Sequence, residues 1–187
     1  ITLNFISISC AATLSFDPKA TIKSAGNTFS IDVFGKSLSD LYAFQFSIGF
    51  DPAVLQLIDI TEGSFLPTAG TTFFIPGTID DVAGLISFTG DSLIGPISGA
   101  SGSGILASID FKALADGVSG LILGDVLFLD SSLNELTISS SNGSVNVVTP
   151  DGNVPEPSLG TLLFVGGVAL ALTRHGRNLK LARARLG

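Results

Sequence analysis

The 187 residues are 45% hydrophobic and 13% charged, with 22 Gly, 14 Phe, one Cys, one His and no Trp. So apolar a chain can bury a core and is not intrinsically disordered. One Cys excludes an intrachain disulfide and a multi-Cys metal centre, and one His excludes a His-pair metal site. All 16 acids lie at or before Glu156 against four lysines, a net −12, whereas residues 157–187 carry five basic residues and no acid. An acidic body repels phosphate backbones, so no nucleic-acid partner is expected.

In chain order, the first element is the uncharged run ITLNFISISCAA, residues 1–12, which ends in small residues. It reads as the remnant of a secretory signal peptide, with cleavage after Ala11 or Ala12, so Cys10 belongs to the discarded part. Residues 13–148 then show repeated period-2 alternation. The clearest case sets Tyr42, Phe44, Phe46, Ile48 and Phe50 on one face against Ala43, Gln45, Ser47 and Gly49 on the other. Large apolar residues on one parity make a half-buried strand, because no helix face collects that spacing. Phe29-Ile31-Val33, Ile105-Ala107-Ile109-Phe111 and Val145-Val147 repeat the pattern, and Val54–Ile60, Leu85–Phe88 and Leu121–Leu129 are further apolar runs. Turn residues separate them, among them Asp51-Pro52, Pro76-Gly77, Gly95 to Gly104 and Asn142-Gly143. Eight or nine short strands at this spacing predict one all-β sandwich with a Phe-rich core.

The segment YAFQFSIGFDPAVLQLIDITEGSFL, residues 42–66, runs strand, Asp-Pro turn, Val-Leu-x-Leu strand, then Gly-x-Phe-Leu. It resembles the cohesin domains of cellulosome scaffoldins, and the strands from Gly104 to Ala113 and from Asn142 to Val147 fit the same pattern. The resemblance covers residues 13–148. It implies a single jelly-roll β-sandwich of about nine strands, within the wider group of carbohydrate-binding-module-like sandwiches. It also implies that one flat face binds a dockerin-like protein. Ala43, Gln45 and Ser47 are the candidate interaction face, with Ala43 where Asn is common in scaffoldin cohesins and Gln45 where Asp is common. That leaves the face open to another protein or to self-association.

After the domain comes a Pro-rich linker, 149–157, whose prolines at 155 and 157 keep it extended and accessible. Residues 158–173, SLGTLLFVGGVALALT, carry no charge. As a helix they would reach roughly 24 Å, a marginal transmembrane segment that snorkelling arginines could complete. The basic tail, 174–187, with Arg174, Arg177 and Lys180 flanking the span, would lie in the cytoplasm and leave the domain outside. Val154-Pro155-Glu156-Pro157, a short apolar span and an Arg-rich end resemble, in that order, the PEP-CTERM sorting signal of Gram-negative bacteria. The resemblance implies an exosortase-like processing enzyme as partner, transient anchoring in the inner membrane, and release or display at the cell surface.

No residue pattern points to catalysis. Asp80-Asp81 point to opposite faces of a strand, and Asp51 reads as a turn residue before Pro52. Asp125 and Asp130 with Asn134 and Glu135 offer oxygens but match no EF-hand spacing, and Ser131–Leu136 reads as a turn or short helix. Gly99–Gly104 lacks the Lys of a phosphate loop and reads as a flexible connection. His175 lies among arginines beyond the apolar run, far from any Ser of the domain. The expectation is a non-catalytic, secreted and surface-sorted binding module without cofactor or metal. A carbohydrate-binding module associated with polysaccharide is the alternative, opposed by the single Tyr, Tyr42, on a buried parity. A hydrolase working through a carboxylate pair about 5–9 Å apart is the third reading.

Overall fold

The computed structural model describes residues 11–149. They form eleven strands and no α-helix: β1 Thr13–Asp17, β2 Ala20–Ser24, β3 Thr28–Gly49, β4 Leu55–Glu62, β5 Thr72–Ile75, β6 Thr78–Asp80, β7 Leu85–Leu93, β8 Ala100–Ala113, β9 Gly117–Asp130, β10 Ser139–Ser141 and β11 Gly143–Val148. The all-β expectation therefore holds. The extra strands are short pieces at the margins, three to five residues long in β2, β6 and β10. Ser139-Ser140-Ser141 has no apolar alternation to announce it, and only its parallel pairing with β1 makes it a strand.

The reading of Phe29–Val33 and Tyr42–Phe50 as separate strands needs correction, because the first and all but Phe50 of the second lie in the single 22-residue strand β3. Ser37 and Asp40 adopt left-handed backbone, with φ of 56° and 54°, and irregular pairing around them bends the strand without ending it. Its two halves consequently have different partner strands. Residues 32–36 pair with β1 and residues 28–41 with β8, which pairs onward with β4. Residues 41–49 pair with β9 on one side, and residues 43–49 with β7 on the other. Beyond β9 lie β11 and β2, and beyond β7 lie β5 and β6.

Phenylalanines fill the interior, as the composition implies. Phe46, Phe111 and Phe128 are fully buried. Phe44 stacks on Phe46 and tilts against Phe128, both at 5.8 Å, and Phe50 meets Phe111 edge-on at 5.5 Å. Ile31, Val33, Val145 and Val147 are buried as their alternation predicts. The row Ile105-Ala107-Ile109-Phe111 is broken at one place. The register shifts where Val33 and Phe34 face Ala107 and Ile105, so Leu106 is buried and Ile105 only partly.

Gly99–Gly104 is not a flexible connection: residues 100–104 open β8, where Gly102 pairs with Leu38 and Gly104 with Gly35. Close approach explains the glycines. A Cβ on Gly99 would sit 2.3 Å from the Asp40 carbonyl carbon, and one on Gly104 2.8 Å from the Phe65 ring. Residues 1–10 of the signal remnant lie outside the described residues. So do Val154, Pro155, Glu156 and Pro157, the apolar run 158–173, and Arg174, Arg177 and Lys180. Among the described residues no helix is long and apolar enough to cross a membrane.

Candidate functional site

Opposite the buried row of Phe44, Phe46 and Ile48, the other parity of β3 faces outward. Ala43 stands between Leu129 of β9 and Ser92 of β7, and the row continues to Phe73 of β5. Gln45 stands between Leu127 and Gly90, and its row continues to Ile75. Each row thus has small or polar residues in the middle and large apolar ones at its ends, so the face sinks into a groove of about 200 Å³. A bulge in β7 completes it. Ser87 and Phe88 together oppose one residue of β3, and Phe88 takes φ 59°. Its ring is 54% exposed at the groove, and Phe73 is 61% exposed.

Ala43 and Gln45 therefore line this groove, half-exposed, together with Phe73, Ile75, Phe88, Leu127 and Leu129, none of which the sequence reading assigned to this face. Ser47 is different. It has the outward parity but is only 6% exposed, and its hydroxyl donates to Asp125 Oδ2 at 2.8 Å. The cause is a second bulge, in β9, which places Asp125 and Val126 opposite a single residue of β3, with Asp125 at φ 48°. Ser47 is thus a structural hydrogen-bond donor and not a contact residue. The expectation that exposed aromatics are missing also needs correction. Phe73 and Phe88 were invisible as a pair because one lies in a four-residue strand and the other in a bulge.

The remaining candidates serve the backbone. Asp51 accepts the Ala53 N–H, and Asp80 accepts those of Val82 and Ala83. Residues 131–134 form a turn around Asp130, whose Oδ1 accepts the N–H groups of Ser132 and Asn134, each at 2.8 Å. These bonds, from the Asn134 backbone and side chain above all, hold the Asp130 carboxyl below the usual range. Asp40 is held low in the same way, by the Ser131 hydroxyl first and the Gly99 N–H second. Tyr42 is half-buried, and its hydroxyl donates to the Gly95 carbonyl at 2.7 Å.

One ionisable pair escaped the sequence reading altogether. Asp91, on the inward parity of β7, is 5% exposed, and its Oδ2 has no donor. Burial, and next the neighbouring Glu62 carboxylate, push its carboxyl up to about 7, although the N–H groups of Ser92 and Phe73 favour the charged form. Lone acids in unrelated strands carry no sequence signal of such a meeting. Asp91 is thus a buried acid whose charge the nearby Glu62 disfavours. Among the described residues no group of three or more His, Cys, Asp or Glu side chains could hold a metal ion.

Comparison with known proteins agrees with this architecture. A cohesin from the archaeon Archaeoglobus fulgidus, described as non-cellulosomal, superposes with TM-score 0.60 at 16% identity, covering 76% of this chain and 94% of that one. A chain of a type I cohesin–dockerin complex from Clostridium thermocellum gives 0.60 at 14% identity, covering 74% and 100%. At these identities the likeness concerns the fold. In sequence, cellulose-binding protein A of Clostridium cellulovorans is 25% identical over 153 residues, 79% of this chain. The chain spans only 8% of that relative's length. The Cohesin domain family matches residues 9–147. The chain belongs to the cohesin domain family.

Proposed function

We propose that this domain is a non-catalytic docking module that binds a dockerin-like protein on the outward face of β9, β3, β7 and β5. The observation that carries this reading is the apolar groove between Leu127, Leu129, Phe73, Ile75 and Phe88, floored by Ala43, Gly90 and Ser92. Contiguous exposed apolar side chains on a folded domain mark interaction surfaces. Ala43 and Gln45 at the centre favour a partner with an apolar contact surface, since neither brings a charge to be matched. Purified dockerin modules from the same host, titrated calorimetrically into the full chain, test it. One of them should bind, and Phe73→Asp or Leu127→Asp should weaken that binding at least tenfold, about 1.4 kcal/mol or more, while the thermal midpoint stays within a few degrees. Binding that ignores both substitutions, or no binding at all, sinks the proposal.

The two exposed phenylalanines also keep a carbohydrate-binding reading in view, since a sugar ring can stack on them. Gln45 and Ser92 are the polar side chains that would orient it. Retention on insoluble polysaccharide that disappears in Phe73→Ala and Phe88→Ala would favour that reading over docking.

The chain's ends support a secreted, surface-sorted module: an uncharged start, the Val154–Pro157 motif, the apolar run and the basic tail. The mature mass in the native host should correspond to a product beginning near Thr13 and ending near Pro157, found at the surface or in the medium. A full-length C-terminus held in the inner membrane would overturn the processing by an exosortase-like enzyme.

A further inference from the structure

We propose that Leu133, together with Phe88, selects the docking partner, and that the backbone strain both residues carry is kept for that contact. Among the described residues, five other than glycine adopt left-handed backbone: Ser37, Asp40, Phe88, Asp125 and Leu133. Aspartate tolerates this conformation, and both aspartates serve the fold. Asp40 accepts the Gly99 N–H and the Ser131 hydroxyl, and Asp125 accepts the Ser47 hydroxyl. Ser37 donates its N–H to the Ser103 hydroxyl. Phe88 and Leu133 are bulky, so φ of 59° and 63° strains them, and they are 54% and 66% exposed. Neither side chain can form a hydrogen bond, and more than half of each lies in water. Folding alone gives no reason for them.

Leu133 closes the hairpin turn that follows β9. Its N–H donates to the Asp130 carbonyl, the Asp130 N–H donates to the Asn134 carbonyl, and Leu129 bridges to Glu135. A three-residue hairpin loop of this form puts its third residue in left-handed backbone, where glycine is favoured. Here that residue is a leucine, and its side chain borders a cleft with Tyr42 and Ile97. The cleft prolongs the groove, because Tyr42 adjoins Ala43 on β3 and the turn follows Leu129 on β9. Phe88 flanks the opposite end of the groove, level with Ser47, whereas Asp130 at the start of the turn pairs with Leu41. Six residues of strand separate those two levels, about 20 Å. A dockerin-like protein that fits must therefore carry an apolar ridge about 20 Å long, one end on Phe88 and the other on Leu133. The role of both residues rests on the docking reading of that groove, whereas their strain needs no partner.

Two measurements on the full chain test this. Without a partner, Leu133→Gly should raise the thermal midpoint by about 2 °C or more, because glycine relieves the strain and little packing is lost. An unchanged or lower midpoint overturns the proposal. In calorimetric titration with a dockerin module that binds the wild type, Leu133→Gly and Phe88→Gly should each weaken binding about tenfold. Leu133→Met, which is apolar and equally strained, should bind within about threefold of wild type. Wild-type affinity in either glycine variant, or an equal loss in Leu133→Met, overturns the selection by these residues and leaves docking itself intact. A wild type that binds no dockerin module overturns the docking reading, and the role of Leu133 and Phe88 with it.

Discussion

Phe46 shows how much one side chain can hold. It is fully buried, stacked on Phe44, in the half of β3 that pairs on both edges. Phe46→Ala should lower stability by about 3–5 kcal/mol, read as a shift of the urea midpoint at constant slope. Its neighbour Gln45 points to the groove, and Gln45→Ala should stay within about 0.5 kcal/mol of wild type in the same titration. The contrast was legible in the sequence because strict alternation assigns neighbours to opposite faces. Ser47 was not, since parity says where a side chain points and not what covers it. A bulge on another strand supplies Asp125 and removes Ser47 from the surface.

At the scale of elements, bulges and close contacts decide what propensity leaves open. Gly63 of the Gly-x-Phe-Leu motif donates its N–H to the Leu106 carbonyl at 2.9 Å, and Phe65 donates to Ile105 at 3.0 Å. The segment after β4 thereby lies flat on β8, and a Cβ on Gly63 would meet the Ile105 carbonyl oxygen at 2.2 Å. Backbone cannot yield as a flexible side chain does, so Gly63→Ala should destabilise by at least about 2 kcal/mol. Gly120→Ala is the control. Its Cβ meets only an Ile122 side chain, at 4.0 Å, and the thermal midpoint should barely change. The motif was visible as residues, but its reason was not, because the partner strand lies some forty positions away. A still longer separation, about sixty to seventy positions from its partners in β3, hid the fate of Gly99–Gly104, which composition reads as a loop and packing turns into strand.

For the whole molecule, the summed protonation of a few acids should be visible in stability against pH. Asp91 titrates higher in the folded than in the unfolded chain, where a carboxyl lies near ~3.9. The folded state therefore binds more protons between about 4 and 7, and stability falls as pH rises through that window. Asp40 and Asp130 work in the opposite sense, and what they add is lost as pH falls below about 4. Thermal midpoints of the wild type should decline from about pH 5 to 8, and Asp91→Asn should flatten that decline. An unchanged slope in the variant would assign the decline to the general repulsion among the domain's acids.

By itself, the sequence determined the class of the domain, because period-2 alternation and its turn residues are local properties that survive in any tertiary context. It also determined that Ile31, Val33, Phe44, Phe46 and Ile48 of β3 lie in the core, and the charge division between the domain and its tail. Tertiary structure alone decided that two predicted strands are one, bent at Ser37 and Asp40, with different partner strands along each half. Tertiary structure also assembled the groove, from single residues of β3, β5, β7 and β9 whose rows exist only once the register is set. The meeting of Glu62 with Asp91 belongs there too. A carboxyl's chemistry depends on the burial and the neighbour that folding supplies, and neither is written next to it in the chain.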